Sequence, residues 1–240
     1  MTDTAWLSRT ELLIGKENLE KLHRAHVLVV GMGGVGSFAA EFICRAGVGE
    51  MTIVDGDVVD PSNRNRQLPA LATTHGQSKA DLMGERLMQI NPELNLHVVK
   101  EFIMPGMVEN LLNTPFDFVV DAIDSITPKF TLIKAAYAKN LKLVSSMGAG
   151  GKLDPTKLHV TDISKTYNCP FAQQIRKKLR QAGIKNGIKV VFSPEEPDKN
   201  SIMRTDGSNF KKSAYGTISY LPATFGATLS SVVIRYLIEL

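Results

Sequence analysis

AHVLVVGMGGVGSFAAEFICRAGVGEMTIVD, Ala25 to Asp55, reads as a strand, a glycine-rich turn, a helix, a second strand and an acid. The run His26–Val30 has the aliphatic, β-branched content of a buried parallel strand. GMGGVG follows at once, from Gly31 to Gly36. So tight a turn favours residues without side chains, and it lets the N–H groups of a helix start approach an anion. The spacing predicts a helix over Ser37–Ala46, stopped by Gly47 and Gly49, then a strand over Met51–Val54. Asp55 stands 19 residues after Gly36, which suits a carboxylate bound to ribose hydroxyls.

Outward from this unit the same alternation continues. Upstream, Leu12, Leu13, Leu19 and Leu22 predict one short helix over Leu12–Leu22. Downstream, Ser78 caps a helix reaching Ile90, which Asn91-Pro92 ends. Strands are expected at Leu94–Val99, Phe116–Val120 and Leu141–Ser145, and helices at Val108–Leu112 and Lys129–Lys139. The pattern is that of an α/β fold with a doubly wound, mostly parallel sheet and a Rossmann-like nucleotide-binding half. Residues 152–215 are less regular, with short strands at Leu158–Val160 and Val190–Phe192 and a helix at Phe171–Leu179. The expectation is one domain over 1–240, with a nucleotide-binding part at about 24–151 and an irregular C-terminal extension at about 152–240.

The chain has 240 residues, 43% of them apolar and 22% charged, ordinary globular values that exclude disorder and fibrous classes. Two cysteines, Cys44 and Cys169, exclude a disulfide framework and a four-cysteine zinc site. The five histidines show no metal-ligand spacing, and only His75 falls near the expected site. No apolar run marks Met1–Thr10 as a signal peptide. The uncharged stretch Ile218–Ile234 carries Pro222 and Gly226 and is too short to span a bilayer, so a buried or interfacial helix from near Ala223 and a cytoplasmic location are expected. Residues 1–165 hold 17 basic and 19 acidic side chains, whereas 166–240 hold 11 and 5. Arg176, Lys177, Lys178, Arg180, Lys185 and Lys189 have no acid among them, which points to a polyanionic partner as well as to a solvated helix face.

The glycine loop alone suits NAD, FAD or ATP. DGDVVDPSNRNRQL, Asp55 to Leu68, separates them. It adds Asn63, Arg64, Arg66 and Gln67, and Lys79 follows at a helix start 13 residues after Arg66. Cations converging on a glycine loop suit a triphosphate better than a dinucleotide, because they neutralise charge that develops in nucleotidyl transfer. Asp124, past the expected fourth strand, is placed to reach Mg²⁺ held by the phosphates. Asp57 suits either the site or its own turn. Asp121 suits either the fold or a metal.

These residues resemble the ubiquitin-activating-enzyme-like adenylyltransferases of the ThiF, MoeB and HesA type. The resemblance rests on VVGMGGVGSFAAE, IVDGDVVDPSNRNRQ, SKAD around Lys79, INPELN, and VVDAID at Val119–Asp124. It implies that Gly31, Gly33, Gly34 and Gly36 cradle ATP and that Asp55 binds the ribose. It further implies that Asn63, Arg66 and Lys79 hold the phosphates and that Asp124 orients Mg²⁺. Arg9, in SRTELL, resembles the arginine that these enzymes pass to the partner's ATP site in a homodimer. SSMGAGGKLDPTKLHVTDISKTYNCPFAQQIRKKLR, Ser145 to Arg180, is similar to the branch acting on tRNA, the threonylcarbamoyladenosine dehydratases, as is ATFGATLSSVVIRYL. That branch adenylates the carboxylate of the threonylcarbamoyl group on adenosine 37 of the tRNA anticodon loop and closes it to a ring. The resemblance extends to sulfur-transfer partner proteins and to peripheral membrane association in members with a longer apolar tail. The GAGG turn, Gly148–Gly151, offers carbonyls to a monovalent cation.

A second reading is an adenylyltransferase that activates the C-terminal glycine of a small ubiquitin-like sulfur carrier. In such enzymes a crossover cysteine forms a thioester, and Cys169, before a basic helix, is the one candidate. A third is a non-enzymatic dinucleotide-binding scaffold, which has no need of the cations at Arg66 and Lys79.

Overall fold

The apolar run at His26–Val30 forms strand β1, buried at every residue, as the sequence predicts. A computed structural model describes residues 5–204 and 213–240. Helix α1 (Ser8–Ile14) and helix α2 (Lys16–Arg24) precede β1. After β1 come α3 (Gly36–Arg45), β2 (Glu50–Val54), α4 (Lys79–Ile90), β3 (Asn95–Val99) and α5 (Pro105–Leu111). Then follow β4 (Phe118–Asp121), α6 (Ile126–Ala138), β5 (Leu143–Ser146), β6 (His159–Asp162), α7 (Pro170–Gln181) and β7 (Lys189–Phe192). The short β8 (Ile202–Arg204) and β9 (Ser213–Tyr215) pair with each other, and α8 (Tyr220–Leu237) closes the chain. No described helix is long and apolar enough to cross a membrane.

Seven strands form one sheet in the order β3-β2-β1-β4-β5-β7-β6, parallel except for β6, which runs antiparallel to β7. Alternate residues of the central strands supply two separate cores, because successive side chains point to opposite faces. Val27, Val29, Met51, Ile53 and Val120 pack with α3, α4 and α8. Leu28, Val30, Val54 and Val119 pack beneath α5 and α6. A third cluster joins Ile133 of α6 to Ile175 and Leu179 of α7 and Val190 and Phe192 of β7. The expected strands at Leu158–Val160 and Val190–Phe192 therefore complete the main sheet.

Helix α8 begins three residues before Ala223 and lies in the core. Leu221, Phe225, Leu229 and Val233 are fully buried, and each such side chain contributes about 1.5–3 kcal/mol. Gly226 brings α8 against α3, since a Cβ there would sit 2.5 Å from the Val35 carbonyl oxygen. The last helix thus braces the helix that follows the glycine loop.

The single helix expected over Leu12–Leu22 is two helices, broken at Gly15, whose φ of 82° no side-chain-bearing residue adopts readily. Leu19 and Leu22 are buried, but Leu12 and Leu13 are 82% and 85% exposed. Part of the irregular segment 152–215, residues 205–212, lies outside the described residues, as do the first four of Met1–Thr10.

Glu41, buried on α3, accepts from Arg45 Nε at 2.9 Å and from Arg86 on α4. Burial raises its carboxyl, but hydrogen bonds from Arg86 and Arg45 outweigh that and hold it below its usual 4.5. A depressed carboxyl contributes stability above its unfolded pKa and loses it as pH falls through the folded value. Glu41→Gln is therefore expected to lower the Tm by a few degrees at neutral pH, with the gap to wild type closing as pH falls below 4.5. Thermal melts across that range check it.

Candidate functional site

The strand order reverses between β1 and β4, since β1 leads to β2 on one side and β4 to β5 on the other. Open α/β sheets bind ligands in the crevice at the carboxyl ends of such strands. Here that crevice lies between the glycine loop after β1 and Ala122–Asp124 after β4. Gly31 has φ 95°, and a Cβ on it would meet the Ala122 oxygen at 2.9 Å. A Cβ on Gly36 would lie 1.7 Å from the Gly31 oxygen, so the turn excludes any other residue there. At Gly33 a Cβ would have only Gln67 Nε2 within 4 Å, which leaves that side open to a ligand.

Asp55 stands where the spacing puts it. Its carboxylate accepts from Met32 N at 2.6 Å and from Asp57 N at 2.7 Å, which ties it to the glycine loop. Burial raises its pKa above 3.8 against the opposing pull of Lys79 and the two backbone donors. Such a desolvated carboxylate is suited to accept hydrogen bonds from a ligand's hydroxyls.

Lys79 reaches this corner through backbone pairing. The segment after Asp55 bridges to the start of α4, with Val59 N on Gln77 O at 2.9 Å and Lys79 N on Asp57 O at 3.0 Å. Ser78 caps α4 as predicted, its Oγ accepting from Asp81 N at 3.2 Å. Lys79 is buried, and its Nζ lies 3.1 Å from Asp57 Oδ2, so Asp57 faces the site cation rather than only its own turn.

Arg66 comes from the other side. A Cβ on Gly34 would lie 3.3 Å from Arg66 Cγ and 3.1 Å from Pro222 Cβ, so the loop, the cationic segment and α8 meet there. Arg66 donates to Ser62 O at 2.9 Å and to Asn65 Oδ1 at 2.8 Å. Burial lowers its guanidinium pKa while Asp124 raises it, which sets Asp124 within electrostatic reach. Asn63 is buried, and its Oδ1 accepts from Asp60 N at 3.2 Å, closing the turn that carries Arg66. Gln67 Oε1, beside the loop, is buried without a partner among the described residues, as expected of an acceptor kept for a ligand or water.

Asp121 belongs to the fold. It is buried completely, 2.7 Å from Lys129 Nζ and 2.6 Å from Ser145 Oγ. Lys129 is equally buried, and nothing in the sequence marked it beyond its place on a helix. Asp124, three residues on, is exposed at the crevice.

Other expected residues lie apart. Arg9 is exposed on α1 and makes no ion pair among the described residues. Arg64 and His75 are exposed in the loop between β2 and α4. Cys44 is core, its thiol pushed up to about 12 by burial. Cys169, at the start of α7, is buried beside Lys152, which donates to Ser193 O at 2.6 Å. A buried thiol offers no face to a carrier's C-terminus. On α7, Arg176 is pinned to Thr166 O at 2.7 Å, while Lys177 and Arg180 are exposed, as are Lys185 and Lys189 beyond it. No acid occurs from Ile163 to Pro194, so this stretch of chain carries an excess of positive charge.

The profile of the ThiF family matches residues 7–240. A tRNA threonylcarbamoyladenosine dehydratase of Bacillus subtilis (strain 168) is 42% identical over 239 residues, covering 97% of this chain and 94% of that protein. The crystal structure of the E. coli tRNA N6-threonylcarbamoyladenosine dehydratase TcdA in complex with ATP superposes with a TM-score of 0.89 at 36% identity, covering 100% of this chain and 97% of that one. The AMP complex of the same E. coli enzyme gives 0.88 at 36%, covering 99% and 97%.

Proposed function

The chain belongs to the ThiF family, in its tRNA threonylcarbamoyladenosine dehydratase branch, and from that premise we propose that it catalyses the ATP-dependent cyclisation of threonylcarbamoyladenosine 37 in tRNA. The observation that carries this is the likeness to an ATP-bound dehydratase over the whole chain, basic segment included.

A carboxylate is a poor electrophile because its leaving group would be oxide. Its oxygen attacks the α-phosphorus of ATP, and pyrophosphate leaves. A nitrogen of the same modified base then attacks the acyl carbon, loses its proton, and expels AMP. The ring closure is intramolecular, so it has a large effective molarity and needs no enzyme cysteine.

The residues fit ATP. Gly31, Gly33, Gly34 and Gly36 form a cradle that side chains would fill, and Asp55 takes the ribose hydroxyls. Lys79, Arg66 and Asn63 hold the phosphates, with Asn63 also holding the turn of Arg66. Mg²⁺, when bound, offsets phosphate charge, and Asp124 holds it. A monovalent cation at the Gly148–Gly151 turn would use carbonyls other than that of Gly151, which already accepts from Asp198 N at 2.9 Å. The parts at about 24–151 and 152–240 work as one unit, because α8 and the glycine loop touch. Exposed Trp6, Leu12 and Leu13 flank Arg9, as expected of a homodimer that passes Arg9 to the partner's site. The exposed cations Lys177, Arg180, Lys185 and Lys189 hold the anticodon-loop backbone in a salt-sensitive contact. In this reading the enzyme works in the cytoplasm, with sulfur-transfer proteins as further partners.

Incubation with Mg-ATP and either threonylcarbamoylated tRNA or a panel of ubiquitin-like carriers tests the reading. AMP release is expected with the modified tRNA and not with unmodified tRNA. Release only with a carrier would overturn it in favour of sulfur-carrier activation.

A further inference from the structure

At the other end of the sheet, about 13 Å along β1 from the glycine loop, three ligand-bearing side chains meet that the nucleotide chemistry does not use. Strand register brings them together. His26 pairs across β1–β2 with Glu50, and Thr52 pairs across β2–β3 with His97. Glu50 and Thr52 are two residues apart on one strand, and cross-strand partners share a face, so all four side chains project the same way.

The contacts follow from that register. His97 Nε2 lies 2.9 Å from Glu50 Oε1, and His26 Nδ1 lies 3.5 Å from the same oxygen. One ligand atom from each of the three side chains falls within 4.8 Å of the others. The second nitrogen of His26, Nε2, is 2.9 Å from Thr52 Oγ1. Phe116 packs edge-on against the His26 ring at 4.6 Å and holds its plane.

We propose that His26, Glu50 and His97 form a binding site for a divalent transition-metal ion of the zinc class. Tetrahedral ligands at about 2.0–2.2 Å from zinc lie about 3.4 Å from one another, close to the spacings already present. Two imidazoles and a carboxylate favour zinc, cobalt or nickel over magnesium or calcium, which take oxygen. Thr52 acts as the outer partner that a ligating histidine uses to fix its ring, accepting from Nε2 and turning the Nδ1 lone pair towards the cluster. Burial is graded, with His26 buried, Glu50 half-buried and His97 exposed. That grading gives an entry path and room for water at the fourth position. Polar residues on the edge strand β3 would discourage pairing with another chain, and the Glu50–His97 contact alone serves that end. It gives no reason for a buried His26 to point at the same carboxylate.

The test uses the full chain, stripped with chelator and free of nucleotide and magnesium. Zinc chloride is added, with binding read by calorimetry and stability by thermal melting. Cobalt is read by its visible absorption. One equivalent of zinc is expected to bind and raise the Tm by several degrees, since an ion that binds only the folded state stabilises it. His97→Gln, at an exposed position, and Glu50→Gln are each expected to weaken binding about ten-fold or more and to abolish the cobalt band. The proposal is overturned by wild type that neither binds nor shifts, or by both variants binding zinc as wild type does.

Discussion

Asp124→Ala is expected to reduce ATP-dependent AMP release by about a thousand-fold while tRNA retention on a filter stays within about two-fold of wild type. The separation follows from where the two charges lie. Asp124 stands past the end of β4, at the reversal of strand order, where burial lowers the pKa of Arg66 and of Lys129 and the Asp124 charge opposes that in both. In the proposed reading it holds the Mg²⁺ of ATP, so its loss acts on phosphate charge in the transition state. In the same proposed reading RNA is held instead by the exposed cations on and after α7, since phosphate contacts of that kind dominate affinity. The substitution is at an exposed position and carries no cavity cost. Equal loss of AMP release and of tRNA retention in a folded variant would contradict the division of roles.

Lys129→Ala is expected to destabilise the protein by about 3–5 kcal/mol and to lower the Tm by about 10 °C or more. The amine lies 2.7 Å from Asp121 Oδ2 and 3.1 Å from Ser145 Oγ, with both partners of the ion pair fully buried. Removing it strands a carboxylate in the interior with, among the described residues, Ser145 and the Ile123 N–H left to bind it. Replacing both charges, as in Asp121→Leu with Lys129→Met, is expected to recover much of the loss, because no uncompensated charge remains. Denaturant melts of the single and double variants measure the coupling. Additive losses in the double variant would show that the pair does not work as a unit. The pair also joins β4, α6 and β5 below the loop that carries Asp124, so the single variant should lose ATP turnover together with stability.

The parts of the site that were legible in the sequence depend on short-range chemistry. Strand β1, the glycine turn, Asp55 and the Ser78 cap each follow from a few neighbouring residues whose conformational demands only certain side chains meet. The cationic segment was legible as charge, but its assembly was not. Asn63 reads as a phosphate ligand, yet its amide oxygen also closes the turn that presents Arg66. Asp57 reads as either a site or a turn residue, and its carboxylate pairs with Lys79. Leu12 and Leu13 have the spacing of a core helix and face outward, because helical periodicity marks an apolar face without saying what covers it.

By itself, then, the sequence determined the alternation of strands and helices, the glycine turn, the acid at the end of β2 and the excess of positive charge in the last third. Each is a local preference, written in propensity, turn geometry or composition. Only the tertiary structure decided which distant residues meet. Strand order set Asp124 across from the glycine loop, and helix packing buried Lys129 against Asp121. The histidines, with no ligand spacing along the chain, were expected to form no cluster. Register brought His26 and His97 to Glu50 from three strands. Contacts of that kind depend on how strands pair and which faces are buried, and residue spacing along the chain does not encode them.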